Sequence, residues 1–295
     1  MNNMNDNHYS LDRAAVRRSF SAASEHYDAV AVLQKEIRDR LLERLTLFKL
    51  QPSVVLDLGC GTAHSSRALQ SIYRDAQIVA LDSAFGMLQH SKPSHRWFGR
   101  KQFQPLCADA SRLPLKSSSV DLIFSNLMLQ WCDPPDFVFA EVRRVLKPSG
   151  VFIFSTFGPD TLRELRDAWR NVDRHTHVNR FMDMHDIGDA MMRAGLAEPV
   201  LDIERFTLTY PDVMSLMREL KAIGARNVTQ GRRHGLMGKG ALHQVTANYE
   251  VHRREQVLPA SYEVVYGQAW GNPVGTAIAQ QGEVHISIDK IGRRR

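Results

Sequence analysis

The stretch VVLDLGCGT, from Val54 to Thr62, joins a short apolar run to two glycines that are one residue apart. An almost unbroken run of Val and Leu is typical of a strand that is covered on both faces of its sheet. Gly59 and Gly61 follow, and glycine accepts backbone angles and close approaches that other residues resist. In open parallel sheets, ligands bind where the first strand leads into the first helix. The stretch therefore predicts a ligand-binding loop at the end of a central strand.

Apolar runs that alternate with helical segments extend this pattern along the chain. The runs are AQIVALD, QPLCADA, VDLIFSN, GVFIFST, LDIERFTLTY and ASYEVVYGQAW. Such alternation indicates a parallel sheet with helices on both faces. The residues from Lys147 to Gly150 predict a turn before the fifth strand, because Pro and Gly both stop helices. We therefore predict an α/β fold with a doubly wound, mostly parallel seven-stranded sheet, N-terminal helices and a helical cap inserted after strand five.

The same pattern divides the chain into five segments. Residues 1–50 have apolar side chains at helical spacing and predict a lid of two helices joined near Tyr27 and Asp28. Residues 51–157 form the ligand-binding core, and the amphipathic runs TLRELRDAW and MHDIGDAMMRAG place a helical cap at 158–198. Residues 199–270 complete the sheet and include a helix that opens at Pro211 and the basic, Gly-rich loop GRRHGLMGKG. Residues 271–295 form a tail with no informative pattern.

Composition restricts the classes of partner. The net charge is +6, but the basic residues are spread along the chain and form no dense block, which favours a basic surface over nucleic-acid binding. The first residues show no export signal, and no apolar run is long enough to cross a bilayer, so we expect a cytoplasmic protein with no membrane partner. Three cysteines without CxxC spacing predict neither a disulfide framework nor a metal site.

The residues after the glycine loop restrict the kind of ligand. A dinucleotide-binding loop would have a third glycine at the position of His64, and a phosphate-binding loop would need Gly, Lys and Ser or Thr in succession, which is absent here. Acidic residues instead end successive strands. We therefore predict a ligand that carries a methionine, a ribose and an adenine. Asp57 would accept from the methionine amine, Asp82 from the ribose hydroxyls and Asp109 from the adenine amino group. A helix-capping role for Asp82 and an Asx turn at Asp109 remain alternatives.

In the order in which they occur, VLDLGCGT, VALD, CADASRLPL, VDLIFSNLMLQW and EVRRVLKPSGVFIFST resemble the class I methyltransferase family across about residues 50 to 157. The resemblance implies S-adenosylmethionine as the cofactor. It assigns cofactor-binding roles to the residues at the strand ends, which are Asp57, Gly59, Gly61, Asp82, Ser83, Met87, Asp109, Ala110 and Asn126. Enzymes of this kind that methylate nucleic-acid amines resemble one another in an Asn or Asp, Pro, Pro, aromatic motif after strand four. The segment SNLMLQW at that place does not match.

The flanks are similar to a narrower family. FSAASEHYDAVAVLQ, FGPDTLRELRDAW, HVNRFMDMHDIGDAMMRAG, ELKAIGARN, GRRHGLMGKG and LPASYEVVYGQAW resemble the malonyl-acyl carrier protein O-methyltransferases of biotin synthesis. The resemblance implies an enzyme that transfers a methyl group to the free carboxylate of a malonyl thioester on an acidic carrier protein. A methyltransferase of another small carboxylic acid or a quinone-type carbon remains an alternative, as does a non-catalytic cofactor-binding scaffold.

A malonyl carboxylate is ionised at neutral pH, since carboxyl groups have reference pKa values near 4, so the reaction needs alignment but no general base. We expect Tyr27 to lie along the cofactor near the transferred methyl, and Arg180 to fork onto the second carboxylate oxygen. Lys221 is a candidate for the thioester or phosphopantetheine arm, and Gln34 for the cofactor carboxylate. Each role has a structural alternative. Tyr27 could be a packed aromatic and Arg180 part of a surface ion pair. Lys221 could be an exposed lysine and Gln34 a solvated glutamine. Four cations are candidates for steering the carrier, with a merely solubilising loop as the alternative: Arg226, Arg232, Arg233 and Lys239.

Overall fold

The computed structural model describes residues 10–91, 103–233, 235 and 238–272. Within them, one seven-stranded sheet has the order β3-β2-β1-β4-β5-β7-β6. The strands are β1 Val54–Leu58, β2 Gln77–Asp82, β3 Gln104–Cys107, β4 Val120–Asn126, β5 Leu146–Phe157, β6 Ala197–Tyr210 and β7 Leu258–Trp270.

The sheet reverses its order at β1, which pairs in parallel with β2 on one side and with β4 on the other. β3 and β5 extend the two halves in parallel. β7 runs antiparallel to both of its neighbours, β5 and β6. This arrangement confirms the predicted fold class, and it puts the crevice between the two halves at the carboxyl end of β1, where VVLDLGCGT ends.

Ten α-helices occur among the described residues. They are α1 Arg13–Ala23, α2 Tyr27–Val30, α3 Val32–Arg44, α4 His64–Ile72, α5 Phe85–His90, α6 Asp136–Val145, α7 Arg163–Trp169, α8 Met184–Arg193, α9 Val213–Ala222 and α10 Lys239–Glu250. One apolar cluster joins the sheet to α3, α4, α7 and α10 through side chains such as Ile37, Leu69 and Val245. A second cluster joins it to α6 and α8 through side chains such as Val142 and Met191. No helix in the described ranges is both long and apolar enough to cross a membrane.

The helices between β5 and β6 pack on opposite faces of the sheet. α7 belongs to the cluster with α10, whereas α8 belongs to the cluster with α6. The irregular segment 170–183 connects them. This segment contributes more residues to the walls of the cavities described below than α7 and α8 do.

Three local expectations need correction. The residues from Lys147 to Gly150 lie within β5 and do not form a separate turn, because Val120 pairs with Leu146 and Leu122 pairs with Val151, so that the intervening residues bulge. The lid contains an additional one-turn helix, α2, between its two main helices.

Helix α10 was also not predicted. Its buried Val245 and Tyr249 are four residues apart, and this spacing indicates a helix. The helix begins within the Gly-rich segment, for which the sequence pattern predicts a loop. Parts of four predicted segments lie outside the described residues: the first nine residues of the lid, residues 92–102 of the core, three positions of the Gly-rich loop, and the tail from residue 273.

Candidate active site

The two glycines of the loop after β1 are required for different reasons. Both have positive φ angles, +80° at Gly59 and +54° at Gly61. A Cβ atom on Gly59 would lie 2.3 Å from Cγ of Met128, whereas a Cβ on Gly61 would meet no protein atom within 4 Å. Gly59 is therefore fixed by packing, and Gly61 faces open space that a ligand can occupy.

That space is a cavity, here called the loop cavity, between the carboxyl ends of β1, β2 and β4 and helix α1. It is lined by nine of the predicted cofactor residues: Tyr27, Gly59, Gly61, Asp82, Ser83, Met87, Asp109, Ala110 and Asn126. Asn126 also fixes the lid, since its Nδ2 donates to the carbonyl of Gln34 at 3.1 Å and its Oδ1 accepts from Ser155. The fold thus brings residues from distant parts of the sequence to one cavity.

Asp82 connects the second strand to the glycine loop. Its Oδ2 accepts from the backbone N–H of Gly61 at 2.9 Å, and its Oδ1 accepts from that of Ala84 at 2.7 Å. Burial raises the pKa of this carboxyl, although the backbone donors oppose the rise. The carboxylate therefore makes a local turn and lines the cavity, but it does not cap α5, whose N-cap residue is Ala84 with no side-chain cap.

Asp109 makes the Asx turn that the sequence left open as an alternative. Its Oδ1 accepts from the backbone N–H of Ser111 at 2.9 Å and from its hydroxyl at 2.7 Å. Burial alone would raise the pKa of Asp109, but these donors and the charges of Arg13 and Arg17 lower it. The two guanidinium groups lie 3.9 and 4.0 Å from Oδ2. Asp109 is thus an ionised group on the cavity wall, close to the lid.

Asp57 lies below the cavity and does not line it. Its side chain is buried, and its Oδ2 accepts a hydrogen bond from the hydroxyl of Ser66 in α4. Burial raises the pKa of Asp57 to about 7, with the Ser66 hydrogen bond opposing and the nearby Asp82 adding to the rise. Any action of this carboxyl on a bound ligand is therefore electrostatic or through the loop that it supports.

One face of helix α1 closes the loop cavity. None of the residues on this face was predicted from the sequence to belong to the site. Arg13, Val16, Arg17 and Phe20 all line the cavity. Their spacing of three and four residues places them on one side of a helix. The helicity of this segment was predicted, but only the fold shows that this side meets the strand ends.

A second cavity, the inner cavity, adjoins the first. Four side chains line both cavities and define what we call the neck: Phe20, Tyr27, Leu127 and Trp131. Phe20 and Trp131 meet edge to face, with ring centroids 5.0 Å apart. Burial raises the pKa of Tyr27 above its usual range, and the negative charges of Asp82 and Asp28 add to this, so its hydroxyl stays neutral. Tyr27 is therefore placed where a group in one cavity can react with a group in the other.

Gln34 lines the inner cavity and not the loop cavity. An open cleft, here called the outer cleft, shares a wall with the inner cavity. The shared residues are Gln130, His177, Val178, Asn179 and Phe181. The three spaces thus adjoin one another, from the glycine loop to the open cleft.

Two predicted catalytic residues lie away from the neck. Arg180 is exposed and lines the outer cleft, but it does not line the inner cavity. Lys221 is exposed in the last turn of α9 and lines none of the three spaces, although Leu220 and Ile223 beside it line the inner cavity. The structure therefore brings Tyr27 to the neck, and Arg180 and Lys221 only to its surroundings.

The predicted basic segment is partly engaged within the protein. Arg232 lies 3.2 Å from Asp12 and donates to the carbonyl of Thr229, so it anchors the chain before α1. Arg233 lies 3.9 Å from Asp173. Arg226 and Lys239 are exposed. Arg232 is therefore a structural residue, and the positive charge of this segment is smaller than its sequence indicates.

Comparison with known proteins agrees with this architecture. A family model described as a methyltransferase domain matches residues 56–154. A malonyl-[acyl-carrier protein] O-methyltransferase from Methylovorus sp. (strain MP688) is 55% identical over 266 residues, which cover 89% of this chain and 90% of that protein. A protein of the same name from Gallionella capsiferriformans is 52% identical over 90% of this chain and 92% of that protein.

The chain belongs to the malonyl-[acyl-carrier protein] O-methyltransferase family.

Solved structures support the fold of this methyltransferase. A putative methyltransferase from Bacillus halodurans C-125 superposes with a TM-score of 0.55 and 16% identity, and covers 80% of this chain and 99% of its own. The YcgJ protein of Bacillus subtilis gives the same TM-score at 15% identity, with 79% and 98% coverage. At such identities the likeness concerns the fold alone.

The chemistry available to this methyltransferase follows from the inner cavity. Among its described lining residues, the side chains with a titratable group are Tyr27, His177 and Tyr262. Burial raises the pKa of Tyr262 well above its ordinary value. The described lining contains no carboxylate, and His177 is its one side chain that could exchange a proton near neutral pH.

Proposed function

We propose that this methyltransferase transfers the methyl group of S-adenosylmethionine to the free carboxylate of a malonyl thioester carried on acyl carrier protein. The product is a malonyl methyl ester that serves biotin synthesis. The observation that carries the proposal is the neck, where the loop cavity meets a separate inner cavity, in a chain that matches its family along nearly its whole length.

The residues of the loop cavity fit the proposed cofactor. Gly61 leaves room beside the backbone, and the acidic residues Asp82 and Asp109 lie where hydroxyl and amino groups need acceptors. Met87 and Ala110 provide apolar wall for a flat ring. When it is bound, S-adenosylmethionine supplies a methyl group on an electrophilic sulfonium. The negative charges of Asp82 and the more distant Asp57 favour such a cation.

The neck residues align the acceptor and exclude water. Phe20, Leu127 and Trp131 surround the junction with apolar surface, which removes water from an ionised carboxylate and makes it a stronger nucleophile. The neutral hydroxyl of Tyr27 is a hydrogen-bond donor that can orient a carboxylate oxygen. Because it carries no positive charge, it does not stabilise the ionised carboxylate as strongly as a cation would. We expect Tyr27→Phe to slow methyl transfer with little change in stability.

The outer cleft is suited to the carrier protein and its phosphopantetheine arm. Four arginines line it, Arg166, Arg170, Arg174 and Arg180, and so do four aspartates, Asp133, Asp173, Asp183 and Asp186. Arg170 lies 2.6 Å from Asp167, and Arg166 donates to the carbonyls of Pro159 and Thr161, whereas Arg174 and Arg180 are exposed. We therefore propose that Arg174 and Arg180 meet the anionic carrier or arm, with Lys221 as a further contact from α9. This proposal differs from the expectation from sequence, in which Arg180 contacts the malonyl carboxylate itself.

An acceptor panel tests the proposal. The protein is incubated with methyl-labelled S-adenosylmethionine and malonyl-acyl carrier protein, malonyl coenzyme A, acetyl-acyl carrier protein, free dicarboxylates or a quinone precursor. We expect label on the malonyl carriers, released as methanol by mild alkali because a methyl ester is base-labile.

The acetyl carrier is the matched control, since it has the same protein and arm but no free acyl carboxylate. Equal labelling of the acetyl and malonyl carriers would mean that the protein modifies carrier side chains. Labelling of a quinone precursor or a free dicarboxylate instead would establish one of the alternative functions.

A further inference from the structure

The inner cavity lacks the strong cation that a buried carboxylate would be expected to meet. Its described lining contains no Arg or Lys, and most of it is apolar, including Phe157, Leu165 and Phe181. An ionised carboxylate that leaves water without a partner carries a large free-energy cost. A group on this wall must therefore compensate the charge of the acceptor.

His177 is the one described residue of this wall whose side chain can become a cation. Its ring lies on the wall that the inner cavity shares with the outer cleft, and its side chain is only 11% exposed. Nε2 lies 2.8 Å from Oδ1 of Asp173. With that nitrogen engaged, Nδ1 is the ring nitrogen available to a ligand.

Two neighbours hold the ring in place. Burial would raise the pKa of Asp173, but the hydrogen bonds from His177 and from the backbone N–H of His175 lower it, so Asp173 stays ionised. The indole of Trp169 stacks on the imidazole with centroids 3.7 Å apart and planes 7° from parallel. Arg233, 3.9 Å from Oδ2 of Asp173, balances part of the negative charge.

We propose that His177, held by Asp173 and Trp169, binds the acceptor carboxylate in the inner cavity and selects malonyl over uncharged acyl groups. This inference rests on the proposed function, since it names the residue that recognises the acceptor. Methyl transfer converts the carboxylate to a neutral ester, so the charge-assisted hydrogen bond weakens when the product forms. A histidine is suited to binding this carboxylate, because a permanently charged Arg or Lys would stabilise the ionised reactant more than the transition state.

The test compares substrate and product in two variants. His177→Gln keeps a hydrogen-bonding group, and His177→Phe keeps a ring on Trp169 but removes every nitrogen. Loss of a hydrogen bond to a charged group should raise KM for malonyl-acyl carrier protein by about 10- to 100-fold. The dissociation constant for S-adenosylmethionine should stay within about twofold, which also shows that the variants are folded.

The inhibition constant of the methyl-ester product is the decisive measurement. The product has the same carrier, arm and thioester but no charge, so we expect a change of less than about threefold in both variants. His252→Gln is the matched control, because His252 also contacts an aromatic ring, Tyr249, and lines none of the three spaces. Its kinetic constants should equal those of the unmodified protein.

An equal rise in KM and in the product inhibition constant would assign His177 to the thioester or the arm and overturn the inference. Unchanged KM in both variants would overturn it as well. These outcomes differ from failure of the proposed function, in which the unmodified protein would methylate no malonyl thioester and the inference would fall with it.

Discussion

At the residue scale, the buried carboxyl group of Asp57 couples the glycine loop to pH. Its pKa is raised to about 7, mainly by burial. The folded protein therefore holds this proton more tightly than the unfolded chain, in which the pKa is near the ordinary value of 3.8. The resulting stabilisation is full at low pH and is lost as the pH rises towards and through 7.

Asp57→Asn should remove this pH dependence. We expect the variant to gain stability relative to the unmodified protein as the pH rises from 5 to 8, because its neutral amide is not penalised by burial. Its affinity for S-adenosylmethionine should fall by about tenfold or more at pH 8, since a charge near the bound cation is lost. Denaturant unfolding and calorimetric titration at both pH values measure these effects. If the free energy of unfolding changed between pH 5 and pH 8 by the same amount in Asp57→Asn as in the unmodified protein, the raised pKa of Asp57 would be contradicted.

The two loop glycines allow packing to be separated from ligand space. Gly59→Ala should destabilise the fold by about 2–4 kcal/mol, because the new Cβ meets Met128 and the φ angle is positive. Gly61→Ala should cost only about 1–2 kcal/mol, for its positive φ, but should strongly weaken cofactor binding. Thermal unfolding and cofactor titration distinguish the two. Similar losses of stability in both variants would show that Gly61 does not face ligand space.

At the scale of elements, α1 is held over the loop cavity through a close contact with α5. A Cβ on Gly86 would lie 2.7 Å from the carbonyl oxygen of Ser21 in α1. The helix can therefore approach α5 closely enough to bring Arg13, Arg17 and Phe20 onto the cavity. The lid predicted from residues 1–50 depends on this contact.

Gly86→Ala should move α1 away from the strand ends while the sheet stays folded. We expect cofactor affinity to fall by about tenfold, and α1 to become more sensitive to proteolysis in the absence of ligand. Gly188→Ala in α8 is the control, because its Cβ would meet only the tip of Leu201, at 3.1 Å. Equal effects of the two substitutions would argue against a lid role for the α1–α5 contact.

At the scale of the whole molecule, a net charge of +6 and the exposed Arg174 and Arg180 of the outer cleft favour encounter with an acidic carrier. We expect kcat/KM for malonyl-acyl carrier protein to fall by about tenfold between low and high salt, as screening weakens long-range attraction. The value for malonyl-pantetheine, which has no carrier, should change much less.

Arg174→Glu should reduce the salt dependence for the carrier substrate, because Arg174 is an exposed cation of the outer cleft. Steady-state kinetics at several ionic strengths measure both effects. The same salt dependence with and without the carrier would exclude electrostatic steering by the protein.

Local patterns were sufficient for the strands and for the cofactor loop. The runs around Leu56, Val79 and Ile123 are apolar without alternation, which is a direct consequence of burial on both faces of a sheet. Asp82 ends such a run and Asp109 follows the short strand β3, and parallel strands bring their carboxyl ends to one edge. Their clustering could therefore be predicted before any contact was known.

The acceptor side could not be predicted in the same way. His177 is one of several histidines in the sequence, and Arg180, three residues later, has the more obvious chemistry for a carboxylate. Which of the two lines the inner cavity depends on the irregular segment 170–183, whose course follows from contacts with Trp169, Thr229 and Asn227 and from no local periodicity.

The sequence by itself thus determined the sheet and the glycine loop, because these depend on short-range patterns of burial and backbone freedom. Only the tertiary structure decided that Asp57 lies beneath the loop cavity, that Arg232 is an anchor, and that His177 lines the inner cavity. The physical reason is that burial, ion pairing and cavity walls are produced by segments far apart in the chain, and no local pattern encodes which of them meet.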